Sequence, residues 1–411
     1  MLPAEIKNEL LKRFLSYVSI DTQSDASTGK YPSTDKQFNL ARQLADEFSA
    51  LGFTDAHVDA NCQVTATIAA TITDAAPLTI GLLAHLDTSP DVSGKEVQPQ
   101  IIDPYDGGDI VIDPEGEVVI RLSENPHLEE ATGHTIVTAG GSTLLGADDK
   151  AGIAAIMTLA AYLSANPGIR HHGIRIGFTP DEEIGKGVER FDIAAFGADL
   201  AYTVDGGFTG EINNETFSAE SVIITVTGRD MHPGWAKNRM INSLRAAAAV
   251  IDRLPMNIAP ETTDGRQGYI HPHSFEGAVG TSLIRLLLRD FNDDELTHKR
   301  SILKTILKEV KQQFPDVEFN MKVKKSYRNM HTALLKHPHV SQRLEDAVLK
   351  SGLKPRWQPI RGGTDGAILS ECGLPTPNIF TGACNAHSLT EWIDIDGLVK
   401  TVEVLLHVVS T

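Results

Sequence analysis

Two histidines and several carboxylates fall at points where a folded sheet could gather them. His85-Leu86-Asp87 follows the apolar run 79–84 (TIGLLA). Pro180-Asp181-Glu182-Glu183 follows 174–179 (IRIGFT), and Asp205-Gly206-Gly207 follows 201–204 (AYTV). His387 comes after the short run 378–380 through a glycine-containing loop. Asp148-Asp149 stands just before a helix-like apolar stretch, 153–163. Each group alone reads as something ordinary: a loop pair, an N-cap, a solvated turn, the start of a surface helix. Their common placement after strands is less ordinary. The carboxyl ends of parallel strands line one edge of an open sheet, so these groups should meet there.

Carboxylates brought within a few ångströms repel one another, which raises their pKa values and costs stability. A bound dication removes that conflict. Imidazole and carboxylate without thiolate suit zinc, cobalt or manganese. Five ligands exceed the needs of one ion and suit two ions sharing a bridging carboxylate.

The elements that must position these groups alternate between strand-like and helix-like segments. The expected fold is an α/β catalytic domain with a mostly parallel central sheet and an inserted α+β two-layer lid. A chain of 411 residues exceeds what one core usually serves. Residues 94–138, rich in Asp, Gly and Pro, read as an excursion of loops and short strands. From 217 the texture changes to a strand–helix–strand–strand–helix–strand order. Segment 217–324 has 15 Lys and Arg against 13 Asp and Glu, while the whole chain is at −17. The expected division is 1–216 with 325–411 for the catalytic domain, and 217–324 for the insertion.

Composition excludes other classes. An acidic chain lacks the clustered positive charge that nucleic acid requires. The most apolar segment, 151–163, is too short to cross a membrane. Near the N-terminus, charges alternate with Ile6, Leu10, Phe14 and Val18, an amphipathic helix rather than a secretory signal. Three cysteines (Cys62, Cys372 and Cys384) make no disulfide framework. The expected location is the cytoplasm, with no membrane or nucleic-acid partner.

The motifs HLDTSPD (85–91), LLGADDKAG (144–152), PDEEIG (180–185) and YTVDGG (202–207), with His387, resemble the M20 metallopeptidase family. DGGDIV (106–111), MHPGWAKNRMINSL (231–244), LRDFN (288–292), SYRNM (326–330), PIRGGTDGA (359–367) and GLPTPNIFTG (373–382) are similar to its peptidase T branch. The resemblance runs from about residue 19 to the C-terminal helix. It implies two zinc ions, replaceable by cobalt or manganese, and release of the N-terminal residue from tripeptides. It also implies roles. His85 and Asp205 would bind one ion, His387 and Glu183 the other, and Asp148 would bridge them in preference to Asp149. Glu182 would be the general base. Asp87 would orient His85 through a hydrogen bond. In the lid, His232 would reach the scissile carbonyl oxygen. Arg361, with help from Asn242, would hold the peptide's C-terminal carboxylate. Lid sheets in the family often pair, which suggests a homodimer.

The sequence departs from that branch in one place. Residues 385–391 read Asn-Ala-His-Ser-Leu-Thr-Glu, without the Gly-Lys-His expected inside a Tyr-His-Gly-Lys-His-Glu-like run. Alternatives are a dipeptidase or an N-acyl-amino-acid amidohydrolase with the same metal centre, and a non-catalytic binding protein on this fold.

Overall fold

The computed structural model describes residues 2–72, 78–113 and 115–410. The chain divides into two compact units, Met1–Asn214 with Thr332–Gln358 and Thr364–Thr411, and Glu215–His331 with Pro359–Gly363.

The first unit is built on an eight-stranded sheet. Its centre is parallel: Gly173–Thr179 pairs with Thr79–His85, which pairs with Leu200–Gly206, which pairs with Asn378–Phe380. These strands are buried nearly throughout, as parallel strands covered on both faces must be. Antiparallel Val64–Ile68 and Glu211–Asn213 flank the parallel core. The register places His85 opposite Thr179 at the carboxyl end of the sheet.

The helix Ala147–Ala165 is buried on almost every side, which explains why its sequence shows no polar face. Glu5–Val18 turns Ile6, Leu10, Phe14 and Tyr17 inward at helical spacing, and Ile395–Ser410 buries a similar stripe. Segment 94–138 does leave the main layers. Gln100–Ile102 and Ile136–Thr138 join Trp392–Asp394 and Ala383–Cys384 in a small antiparallel sheet.

The second unit has the expected order of elements. Its antiparallel sheet runs Tyr269–Gly277, Thr281–Asp290, Ser218–Thr227, Glu318–Tyr327. Val222, Ile224, Val226, Ile284, Leu286 and Leu288 alternate inward and meet the helices Ser243–Asp252 and Asp293–Gln313. The boundary at 324 needs correction. Strand Glu318–Tyr327 stays in the ladder as far as Ala219 opposite Tyr327, so a cut at 324 would sever it. Residues Pro359–Gly363 also belong to this unit. The Phe217 N–H donates to the Ile360 carbonyl at 3.0 Å, and such backbone pairing has no side-chain signature in the sequence.

Gly152 shows how closely helix and sheet approach. A Cβ there would collide with the Val204 carbonyl oxygen and the Asp149 carboxylate. Gly152→Ala should therefore lower stability by about 3 kcal/mol, since backbone cannot yield as a flexible side chain can. Denaturant unfolding of the two proteins measures it, and an unchanged midpoint would contradict the close approach.

Candidate metal centre

The strand ends bring the expected side chains together. His85 Nε2 is 3.0 Å from Asp148 Oδ1 and 3.7 Å from Asp205 Oδ1. His387 Nε2 is 3.5 Å from Asp148 Oδ2 and 2.8 Å from Glu183 Oε2. Asp148 thus offers one oxygen to each imidazole. His85, Asp148 and Glu183 offer ligand atoms within 4.8 Å of one another, as do His85, Asp149 and Asp205. Asp149 is the less available acid. Its carboxylate accepts the His85 and Gly152 backbone N–H groups, each at 3.2 Å.

Other acids hold the ligands in place without joining them. The Asp87 carboxylate accepts the N–H groups of Glu182 and Glu183, at 2.9 and 3.2 Å. The His85 Nδ1 hydrogen bond runs to the Asp87 carbonyl at 3.0 Å, with the carboxylate at 3.5 Å. So Asp87 orients His85, but chiefly through its backbone. Asp181 has φ of 62°, which turns the chain sharply before Glu182. It is buried and accepts from Ser33 N at 2.6 Å, Ser33 Oγ at 2.5 Å and Gln37 Nε2 at 2.7 Å.

In the sequence Glu391 is marked only as the acid four residues after His387. In the structure it is buried and grips the loop carrying Asp148. It accepts the N–H groups of Leu145, Gly146 and Asp148 at 2.7, 2.8 and 3.1 Å. Asp91 lies 3.3 Å from His387 Nδ1, on the side away from the cluster. Thr179 donates to the buried Asp365 at 2.8 Å. Sequence reasoning misses the roles of Asp91, Asp181, Asp365 and Glu391, because their partners are backbone or remote groups that leave no local motif.

Loop 385–391 keeps its shape by other means than the missing residues. Asn385 and His387 both have left-handed φ, 56° and 62°. Asn385 Nδ2 donates to Asn125 Oδ1 at 2.8 Å, and Ser388 Oγ donates to the Asn385 carbonyl at 2.7 Å.

The electrostatics show what the cluster suits. Burial opposes charge on His85, but Asp148 and Asp87 outweigh it and raise its pKa well above the usual value. Hydrogen bonds to Asp148 and Glu183 raise His387 to about 11. Burial would raise Asp148, yet His387 and His85 hold it well below the usual range. Burial, then repulsion from Asp148, pushes Glu183 up to about 7. Burial, then Asp149 and Asp148, raises Asp205 strongly. Burial raises Glu182 strongly too, against the pull of His85, with Asp205 adding repulsion. Glu183 Oε1 is buried without a hydrogen-bond partner. Such an oxygen, with lone pairs and no donor, fits a cation. The residues present fit metal ions.

The lid candidates lie in the second unit. His232 is exposed, and its Nδ1 accepts the Gly234 N–H at 3.1 Å. Asn242 caps the helix Ser243–Asp252, accepting from Leu244 N at 3.0 Å and Arg245 N at 3.4 Å. Arg361 Nη1 donates to the carbonyls of Gly265 and Gln267, each at 2.8 Å. Its Nη2 donates to the Thr263 carbonyl at 3.2 Å and hydroxyl at 3.1 Å. Its guanidinium sits over the rings of Phe217 and Tyr269, 5.2 and 5.8 Å away. The residue is therefore more engaged than its glycine-flanked sequence suggests. Arg289 carries no comparable signal in the sequence. Its Nη1 donates to the Arg361 carbonyl at 3.3 Å, and its Nε is buried without a partner.

Comparison with known proteins gives the family. A model of the peptidase family M20/M25/M40 matches residues 141–411. A peptidase T of Geobacillus thermodenitrificans is 44% identical over 405 residues, 98% of each chain. The crystal structure of aminopeptidase PepT from Bacillus cereus superposes with a TM-score of 0.73 at 21% identity, covering 98% of both chains. That of a Staphylococcus aureus tripeptidase gives 0.72 at 19% identity, again over 98% of both. The chain belongs to the M20/M25/M40 peptidase family, in its peptidase T branch. It is a metallopeptidase with a metal cofactor and a peptide substrate. No helix among the described residues is long and apolar enough to cross a membrane.

The charge pattern sets a pH dependence for the metal-free protein. A carboxyl raised from 4.5 to about 7, as Glu183 and Glu391 are, keeps its proton longer when folded. Its stabilising effect is lost as pH rises through that window. An imidazole raised from 6.5 to about 11, as His387 is, acts with the same sign: the stability is present below 6.5 and lost above it. Asp148, held low, titrates outside this range. The melting temperature of metal-stripped protein should fall from pH 5 to pH 8, and metal should blunt the fall. A metal-free protein that grew more stable across that interval would contradict the clustering.

Proposed function

We propose that this chain is a tripeptide aminopeptidase working with two zinc ions. Its full-length similarity to a peptidase T and its fold likeness to a tripeptidase support the reading. The observation that carries the two-ion part is Asp148, with one oxygen toward each imidazole. His85, Asp205 and Asp148 would hold one ion, and His387, Glu183 and Asp148 the other. When bound, they supply Lewis acidity toward the carbonyl oxygen and toward water.

Glu182 is the general base. Burial and acidic neighbours keep its proton affinity high, as an acceptor that must later donate requires. It takes a proton from the attacking water and returns it to the leaving amine. The Asp87 carboxylate fixes the Glu182–Glu183 turn by its backbone N–H groups.

In the inserted unit, His232 polarises the scissile carbonyl. Its exposure leaves it free to do so. Arg361 would serve the substrate's C-terminal carboxylate by exchanging its bonds to Thr263, Gly265 and Gln267 for it, with Asn242 contributing, and Arg289 joins them. The unpartnered Arg289 Nε supports that addition. The exposed edge strand Glu318–Tyr327 supports pairing into a homodimer. The enzyme acts in the cytoplasm, where its three free cysteines would stay reduced.

Ala-Ala-Ala, Ala-Ala and an acetyl-amino acid, given to zinc-loaded enzyme, test the substrate. Faster cleavage of the acylated compound would replace the tripeptidase reading with an amidohydrolase. Glu182→Ala should retain both metals by elemental analysis and lose about 10²–10⁴ in turnover. Unchanged turnover would remove Glu182 from the mechanism.

A further inference from the structure

A cavity of about 400 Å³ opens beside Asp148 and Asp205, within the first unit. Phe208, Glu211, Ala383 and Cys384 also line it. Three of its four carboxylates are accounted for. Asp148 and Asp205 stand in the metal cluster, and Asp149 is committed to two backbone N–H groups. Glu211 has no such commitment: Arg356, its neighbour on the paired strand, feels its charge but spends its guanidinium hydrogen bonds on Glu130 and the Thr209 carbonyl. The ion-pair neighbour seen for it is the His127 ring, with Nε2 3.6 Å away, beyond hydrogen-bonding distance. That ring is held stacked on Phe208, at 4.3 Å between centroids. The Glu211 carboxylate lies against Gly207, where a Cβ would come within 2.9 Å of Oε2. The glycine after Asp205-Gly206 thus leaves room for an acid.

We infer that Glu211 is the counter-ion of the substrate's N-terminal α-ammonium, and that the first side chain shares its cavity. The inference rests on the aminopeptidase reading above. An ammonium drawn toward a pair of dications is repelled by them, so a carboxylate outside the ligand set must offset the repulsion. Glu211 is that carboxylate, lining the same cavity as Asp148 and Asp205. Phe208, Ala383 and Cys384 give the first side chain an apolar surface. An internal residue of a longer peptide has no ammonium. It would leave Glu211 facing an uncharged amide, a mismatch that selects against cleavage away from the terminus.

Two measurements on zinc-loaded wild type and Glu211→Gln decide it. The first is kcat/KM for Ala-Ala-Ala against its des-amino analogue propionyl-Ala-Ala. Wild type should prefer the free amine by about 10- to 100-fold, the range for a hydrogen bond to a charged group. Glu211→Gln should erase most of that preference, mainly through KM, and Glu211→Asp should restore part of it. The second is calorimetric binding of alaninamide against propionamide, which needs no turnover. The same preference should appear in wild type and vanish in Glu211→Gln. A preference equal in both proteins overturns the inference. If wild type cleaves neither peptide yet still favours alaninamide through Glu211, the aminopeptidase reading fails and the ammonium site stands.

Discussion

Asp148 sits between two imidazoles, one oxygen toward each, in a place where neither charge nor neutrality is comfortable. Burial penalises its charge, and the neighbouring acids Glu183 and Asp205 penalise it again. Protonated histidines relieve this in the metal-free protein, which is why both imidazoles are pushed upward. Dications relieve it without consuming protons. The surrounding structure holds the conflict in place until they arrive.

That holding is done by a second set of acids. Glu391 fixes the loop of Asp148, Asp87 fixes the turn of Glu182 and Glu183, and Asp181 ties that turn to Ser33 and Gln37. All three are buried, and their partners include backbone N–H groups. A carboxylate that accepts several N–H bonds is compensated in part for its burial and holds main chain rather than a mobile side chain. Beneath them the parallel strands set the spacing. His85 and the turn after Thr179 stand at one level because their strands are in register.

How much of this can be read from the sequence depends on where each signal lies. The strand ends are legible because an apolar run gives way within a few residues to a histidine or an acid, as at Leu83-Ala84-His85 and Phe178-Thr179-Pro180-Asp181. The order of elements in the inserted unit is legible from its alternation, since one face of its sheet is packed and the other is not. Long-range backbone pairing is not. The bond from Phe217 N–H to Ile360, which draws residues 359–363 into the second unit, involves no side chain at all. Arg361 reads as a free cation because the carbonyls it serves, at Thr263, Gly265 and Gln267, are anonymous in a sequence. Glu391 and Asp181 are silent for the same reason: their roles are defined by which N–H groups they meet.

Charge is also divided between the two units in a way that suits a short peptide. The chain is at −17, while residues 217–324 are close to neutral. The acidic unit draws cations, both metal ions and a substrate ammonium, by its long-range field. The same field repels a peptide's C-terminal carboxylate. A peptide's two charged ends therefore meet opposite responses from the acidic unit. Its ammonium end is favoured there and its carboxylate end is not, so charge alone tells the two ends apart before any side chain is read.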